Sequence, residues 1–247
     1  MDSASYIPIS LVSALQRDLD VTANNIANAD TVGFKRERVA FESYLHEDTG
    51  DMEDVHFVVD GGSYLDNSQG RLQATGNPLD IALEGEGWFA FETREGGVAY
   101  GRDGRLTLDN QGTLVTIDGA QILDVGGAAI NLAPEAVAGL QIAEDGTMSG
   151  PDGAALGQIG VFRIDDLQAY ERAGSGLFRA PPGGGVAPEL DDSSVLIQGA
   201  VEGSNVQAIT EITRLMEIQK AYERAQTVSQ SADDLRQDAL SRLSRPA

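Results

Sequence analysis

The sequence contains no cysteine. Disulfide frameworks, thiolate metal sites and cysteine nucleophiles are therefore excluded. With only two histidines, His46 and His56, imidazole chemistry has almost no material either, and both read as surface residues. Basic residues are scarce: 17 Lys and Arg stand against 39 Asp and Glu, for a net charge of −22. A nucleic-acid partner or an anionic membrane needs a basic surface to displace counterions, so neither is expected. Long apolar runs are also missing. The opening MDSASYIPISLV has no basic leader and no run long enough to span a bilayer, which predicts no membrane insertion and no cleaved signal peptide.

The acid that is present is unevenly placed. Residues 1–45 hold six acids and four bases, and residues 201–247 hold seven acids and six bases, which leaves −19 for residues 46–200. The middle reads as a self-repelling body, while both ends are nearly neutral and suited to packing against copies of themselves.

Both ends also carry helical spacing. Leu11, Leu15, Leu19, Thr22 and Ile26 recur at threes and fours and predict a helix over residues 4–29, stopped at Asp30, Thr31 and Gly33. Ser204 and Asn205 offer an N-cap for a second helix to residue 243, with Ile212, Leu215, Ile218, Tyr222, Ala225, Val228, Ala232, Leu235 and Ala239 as its apolar stripe. Such a stripe cannot cover itself and needs a partner helix.

Between the helices the period changes to two. Leu79, Ile81 and Leu83 alternate with Asp80, Ala82 and Glu84, and Gly- and Asp-Gly-rich turns recur at short intervals to about residue 180. The fold expected is α+β: long N- and C-terminal helices pairing as a coiled-coil-like layer, with an antiparallel β-rich domain inserted between them. Four regions follow: 1–35 helical, 36–75 an extended connector, 76–200 the β-rich body, and 201–247 helical.

Two motifs offer chemistry and are better read as structure. Gly85-Glu86-Gly87-Trp88-Phe89-Ala90 fits a dinucleotide fingerprint, but that mechanism needs a helix to open at the turn. WFAFET reads as a strand, so a β-hairpin turn is expected, with Trp88 and Phe89 in the core. The Asp-Gly pairs lack the ligand spacing of a calcium repeat and read as turns. No catalytic residue, cofactor or metal site is expected, and the chain is read as a non-enzyme.

The asparagines are harder to dismiss. Asn24, Asn25 and Asn28 weaken the helix that carries them. They adjoin a tightly specified turn leading to Phe34, expected to be exposed, and to Lys35-Arg36. Amides that cap backbone of a neighbouring chain would compensate.

The stretch TANNIANADTVGFK, residues 22–35, resembles the N-terminal signature of the bacterial flagellar basal-body rod and hook proteins. VEGSNV at 201–206 with EITRLM and QKAYE resembles the family's C-terminal block, and GNPLDIAL, GWF and YGRDG its middle. Within the family, GWF, GLFR at 176–179 and the EGSNV block are most similar to proximal rod subunits, whereas KRERVAFES at 35–43 is nearer the distal rod pattern. The resemblance implies a structural subunit exported unfolded through the flagellar type III apparatus without a cleaved signal. It would be built into a helical tube that transmits torque across the periplasm. The partners implied are other copies of the chain, other rod subunits and the export apparatus. The ends are expected to order chiefly on assembly. The assembly interface expected is Leu15, Leu19, Asn24, Asn25, Ile26, Asn28, Thr31, Gly33, Phe34, Ser204, Asn205, Val206, Ile212, Leu215, Ile218 and Tyr222. Alternatives are a distal rod or hook-family subunit, and a secreted β-rich binding module.

Overall fold

A computed structural model describes residues 3–46, 55–181 and 187–243. Helix α1 spans Ser3–Ala27 and helix α2 spans Ala208–Leu243, close to the helical spans read from leucine spacing. Where an extended connector was expected, β1 (Glu37–His46) and β2 (Val55–Leu65) form an antiparallel hairpin, with a register shift between Val39 and Phe41. His46 pairs Val55 across its outer end, and neither histidine side chain lies within the described set.

The chain divides into two units. The first contains α1, the β1–β2 hairpin and α2, in which α1 packs on α2 and on both strands. Its helices do not form the coiled-coil-like layer expected from the sequence. A coiled-coil seam needs apolar residues at every third or fourth position on both partners. The fully buried described residues of α1 are instead Ala14, Asp18, Thr22 and Asn25, a seam that is mostly polar, while Leu15, Leu19 and Ile26 are only half-buried. On α2 the buried described positions are Glu211, Ile218 and Ala225, one in seven, whereas Ile212, Val228 and Leu235 from the expected stripe are exposed. Two physical reasons account for this. The α2 stripe recurs faster than 3.6 residues per turn, so it rotates around the helix instead of facing one neighbour. Moreover, 36 residues make α2 about 54 Å long and 25 make α1 about 37 Å, at about 1.5 Å per residue, so α2 outruns its partner.

The second unit comprises residues 28–36 and 67–206 and is β-rich. Its strands in chain order begin with β3 (Leu72–Ala74), β4 (Ile81–Glu84), β5 (Trp88–Glu92), β6 (Val98–Gly101) and β7 (Leu106–Leu108). Next come β8 (Leu114–Thr116), β9 (Gln121–Ile122), β10 (Gln141–Ile142), β11 (Thr147–Ser149), β12 (Ala155–Gln158) and β13 (Val161–Arg163). The last are β14 (Glu171–Gly174), β15 (Leu177–Arg179), β16 (Glu189–Leu190), β17 (Val195–Gln198) and β18 (Ala200–Glu202). The main sheet runs β14-β15-β6-β5-β9-β8-β7, with β13 joining at β5 and β16 pairing β13. The first and last strands close on each other: β17 pairs β4, and β18 pairs β3 with Glu202 opposite Leu72.

Its core is dry and aliphatic-aromatic. Ile81, Leu83, Phe89, Phe91, Ile122 and Met148 are completely buried in one cluster. The glycine-rich segments are turns held by their own carboxylates: Asp109 Oδ1 accepts the amides of Gln111 and Thr113, and Asp124 Oδ1 those of Gly126 and Ala128, all at 2.8 Å, while in two Asp-Gly pairs Asp145 Oδ1 accepts the Thr147 N–H at 2.9 Å and Asp152 Oδ1 the Ala154 N–H at 3.2 Å. The glycine-rich turn at 85–87 leads from strand to strand, so no helix opens there for a pyrophosphate. Nor is it a hairpin, because β4 pairs β17 while β5 pairs β6, β9 and β13. Gly85 takes φ +129°, and a Cβ there would lie 2.5 Å from Ser194 Oγ, so both conformation and space demand glycine.

Candidate assembly site

The motifs of the first and last signature blocks meet in the second unit. After α1 the chain turns through Asn28–Thr31, with Thr31 N–H donating to the Asn28 carbonyl at 3.2 Å, and then passes Gly33 at φ +71°. A Cβ on Gly33 would stand 2.5 Å from the Asp103 nitrogen, so the backbone must approach bare. Gly33 N–H donates to the Glu202 carbonyl at 2.7 Å, and Asn205 N–H to the Phe34 carbonyl at 3.3 Å. Asn205 also receives the Arg36 N–H on Oδ1 at 2.7 Å, while its amide nitrogen donates to the Ser68 carbonyl at 3.0 Å. One side chain thus ties three chain segments. Phe34, expected to be exposed, is 4% exposed, with the Arg172 guanidinium 4.8 Å from its ring and 5.2 Å from that of Phe178. Arg172 completes the bracket by donating to the Lys35 carbonyl at 2.7 Å.

Beneath this bracket lies a buried charge triad. Glu202 Oε1 accepts from Lys35 Nζ at 2.7 Å and from Gly70 N–H at 2.9 Å, and Oε2 accepts from Arg102 Nη1 at 2.9 Å. All three side chains are at most 1% exposed. The second Lys35 bond goes to the Ser68 carbonyl at 2.9 Å, and Arg102 Nη2 donates to the Gly85 carbonyl at 2.8 Å. Both cations lie over Trp88, at 5.9 and 5.1 Å from its ring, and Phe178 meets that ring edge-on at 5.5 Å. Burial lowers the Arg102 guanidinium from its ordinary range, and Glu202 opposes the shift.

In the helical unit the asparagine question receives a local answer. Asn25 is buried, and its amide donates to the Glu37 carbonyl at 2.8 Å while accepting the Glu37 N–H at 3.1 Å. It stands in for a strand neighbour at the start of β1, and this compensates for its poor helix propensity. On the other side of the seam Asp18 accepts from Arg214 at 3.0 Å. Burial raises the Asp18 carboxyl above the usual range, Arg214 pulls it back, and Glu211 adds a smaller upward push.

The remaining expected interface residues fall into three groups. Val206 and Ile218 are buried within the chain, and Ser204 Oγ accepts the Val206 N–H at 3.2 Å. Neither Ser204 nor Asn205 caps α2; Gln207 does so, its carbonyl accepting the Glu211 N–H at 3.0 Å. Leu15, Leu19, Ile26, Asn28, Thr31, Leu215 and Tyr222 are half-buried, and Asn24 and Ile212 are exposed. Residues that sequence reasoning did not single out are Glu202, Arg102, Arg172, Asp18 and Arg214. For Glu202, Arg102 and Arg214 the available signal was a charge inside a signature block, whereas Asp18 and Arg172 lie outside the blocks.

The α2 surface also presents Ile209, Ile212 and Met216, which are 84%, 46% and 48% exposed. At about 100° per residue they fall in a sector of roughly 60°, opposite the sector that holds Glu211, Ile218 and Ala225. The start of α2 therefore presents an exposed apolar side opposite the buried side that begins at Glu211.

Chemistry is poorly supplied elsewhere. Among the described residues no group of three His, Cys, Asp or Glu could hold a metal ion, and no helix is long and apolar enough to cross a membrane. A cleft of about 320 Å³ has Glu144, Asp145, Asp191, Asp192 and Ser194 in its lining. The Ser194 hydroxyl donates to Asp191 and accepts the Gly87 N–H.

Comparison with known proteins places these motifs. Residues 10–35 match the family model "Flagella basal body rod protein", residues 82–150 "Flagellar hook protein FlgE/F/G D1 domain", and residues 197–242 "Flagellar basal body rod FlgEFG protein C-terminal". The flagellar basal-body rod protein FlgF of Caulobacter vibrioides is 37% identical, covering 99% of both chains. FlgF of Mesorhizobium japonicum is 37% identical over 98% of both, and FlgG of Bacillus subtilis is 31% identical over 95% of this chain and 97% of its own. With full-length similarity to FlgF and FlgG as the next rival, the chain belongs to the flagellar basal-body rod protein family, whose members are structural components of the basal body.

Proposed function

We propose that the chain is a proximal rod subunit that polymerises through its terminal helices, residues 1–35 and 201–247, into a helical tube spanning the periplasm and transmitting torque. Its neighbours are further copies of itself and other rod proteins. It reaches them through the flagellar export apparatus, and it performs no catalysis. The observation that carries this reading is the exposed Ile209, Ile212 and Met216 face of α2, apolar on the side that α1 leaves open. In water such a face is unfavourable by about 25 cal/mol per Å², and a neighbouring subunit removes that penalty. Leu15, Leu19, Ile26, Leu215 and Tyr222, half-buried in the single chain, complete their burial in the same contact. Asn25, Gly33, Phe34, Asn205, Val206 and Ile218 act from inside, holding the helices and the turn in the shape that packs. A repeating contact between unlike surfaces does not close on itself, and so it builds a filament. Similarity to FlgG supports a distal position as the second reading.

The test is complementation of a strain lacking the chain with Ile209→Ser/Ile212→Ser/Met216→Ser. Loss of rods in electron micrographs and loss of swimming, with the isolated protein still folded, are expected. Normal basal bodies would refute the helix-mediated contact.

A further inference from the structure

We infer that Glu202 is a closure key: the β-rich unit completes its fold only when this carboxylate from the last signature block reaches Lys35 of the first and Arg102 of the middle. The inference does not depend on what the subunit assembles with.

Three observations converge on it. The first is the shared charge. Two cations and one carboxylate are buried together at 0%, 1% and 1% exposure, and Glu202 is the carboxylate that contacts both cations; Asp191 and Glu86 act on Arg102 from farther away. Without Glu202, closing the unit buries two cations that have lost the carboxylate they share, and undercompensated buried charge is among the costliest defects a fold can carry. The second is position. Lys35, Arg102 and Glu202 come from segments separated by 67 and 100 residues, and no two of the three are neighbours in sequence. The third is topology. Residues 195–202 supply the ladder partners of β4 and β3, and Gly33 and Gly70 donate to the carbonyl and carboxylate of Glu202. β3 and β4 therefore lack these ladder partners, and the site lacks its carboxylate, until residue 202 is present. Closure of such separated segments is also the entropically costly, late kind of contact. In a chain delivered from its N-terminus this site thus stays open until about four-fifths of the chain has emerged.

The single tryptophan, Trp88, lies beneath both cations and reports closure of this site directly. Equilibrium urea unfolding followed by its fluorescence is compared for the full-length chain, Glu202→Gln, Lys35→Met and the double variant. Glu202→Gln shifts the folded-to-unfolded ratio at least about 100-fold toward the unfolded state. Lys35→Met, which leaves the Arg102–Glu202 pair balanced, shifts it by less than about tenfold. The double variant recovers at least about tenfold of the Glu202→Gln loss, because one stranded cation has been removed. If Glu202→Gln does not fold, a folded double variant supports the key and an unfolded one overturns it. A Glu202→Gln protein within threefold of the parent, or a double variant no better than Glu202→Gln, also overturns it.

Discussion

In the helical unit Asp18 is buried beside one partly exposed Arg214 and a second acid, Glu211, whereas in the β-rich unit Glu202 is buried between two cations that water does not reach. The first arrangement leaves its carboxyl under strain, and the second leaves its carboxylate fully satisfied. The interiors differ in the same way. Phe89, Phe91 and Ile122 are wholly buried in the β-rich unit, which shows Ile117 and Leu190 singly at its surface, while the start of α2 displays Ile209, Ile212 and Met216 on one side. One unit is built around an apolar core, and the other around a polar seam with a spare apolar face. The difference teaches where a subunit can be finished by its neighbours.

Substitutions sharpen that contrast. Trp88→Ala should cost the β-rich unit about 3–5 kcal/mol, because it removes a fully buried ring under two cations and beside Phe178; urea unfolding by circular dichroism reads it. Gly33→Ala forces φ +71° on a residue with a Cβ and presses that atom against the Asp103 nitrogen. A loss of about 1–3 kcal/mol is expected, with faster amide exchange at Gly33 and Asn205. Asn25→Ala in the helical unit leaves the Glu37 backbone without its two bonds, for about 1–3 kcal/mol in the midpoint of the 222 nm signal.

The titration of Asp18 gives a smaller and opposite effect. Its carboxyl is raised above 3.8 chiefly by burial, so its contribution to stability is complete below about pH 3.8 and is lost as pH rises through the folded value. Asp18→Asn should keep an acceptor for Arg214 and raise the neutral-pH midpoint of the 222 nm transition slightly, and this advantage should vanish near pH 3. A midpoint lowered at pH 7 would mean that the ion pair outweighs burial. Smallest of all is Ile212→Ser in the isolated chain, where a change within about 0.5 kcal/mol is expected from an exposed site.

Both helices and the β-rich middle were legible because leucine spacing and Asp-Gly turns report local geometry directly. The family motifs were legible as motifs. What they do was not, because Lys35, Arg102 and Glu202 meet only after strands distant in sequence have paired, and spacing carries no trace of that. The coiled-coil expectation failed for a related reason. Leucines at threes and fours mark an apolar face without saying which neighbour covers it, and here Asp18, Thr22 and Asn25 occupy the seam. For Asn25 the compensation expected was backbone of a neighbouring chain, and in the single chain its side chain bonds the backbone of Glu37 twelve residues on.

Methionine oxidation in the isolated chain and in assembled rods tests the central claim most directly, because one methionine of known exposure lies in each unit. Met216 lies on the open face of α2 at 48% exposure, and Met148 lies in the β core at 0%. Mass spectrometry after brief peroxide treatment should find Met216 oxidised in the free subunit and protected in the rod, with Met148 unreactive in both. Equal oxidation of Met216 in the two states would contradict assembly through the helices.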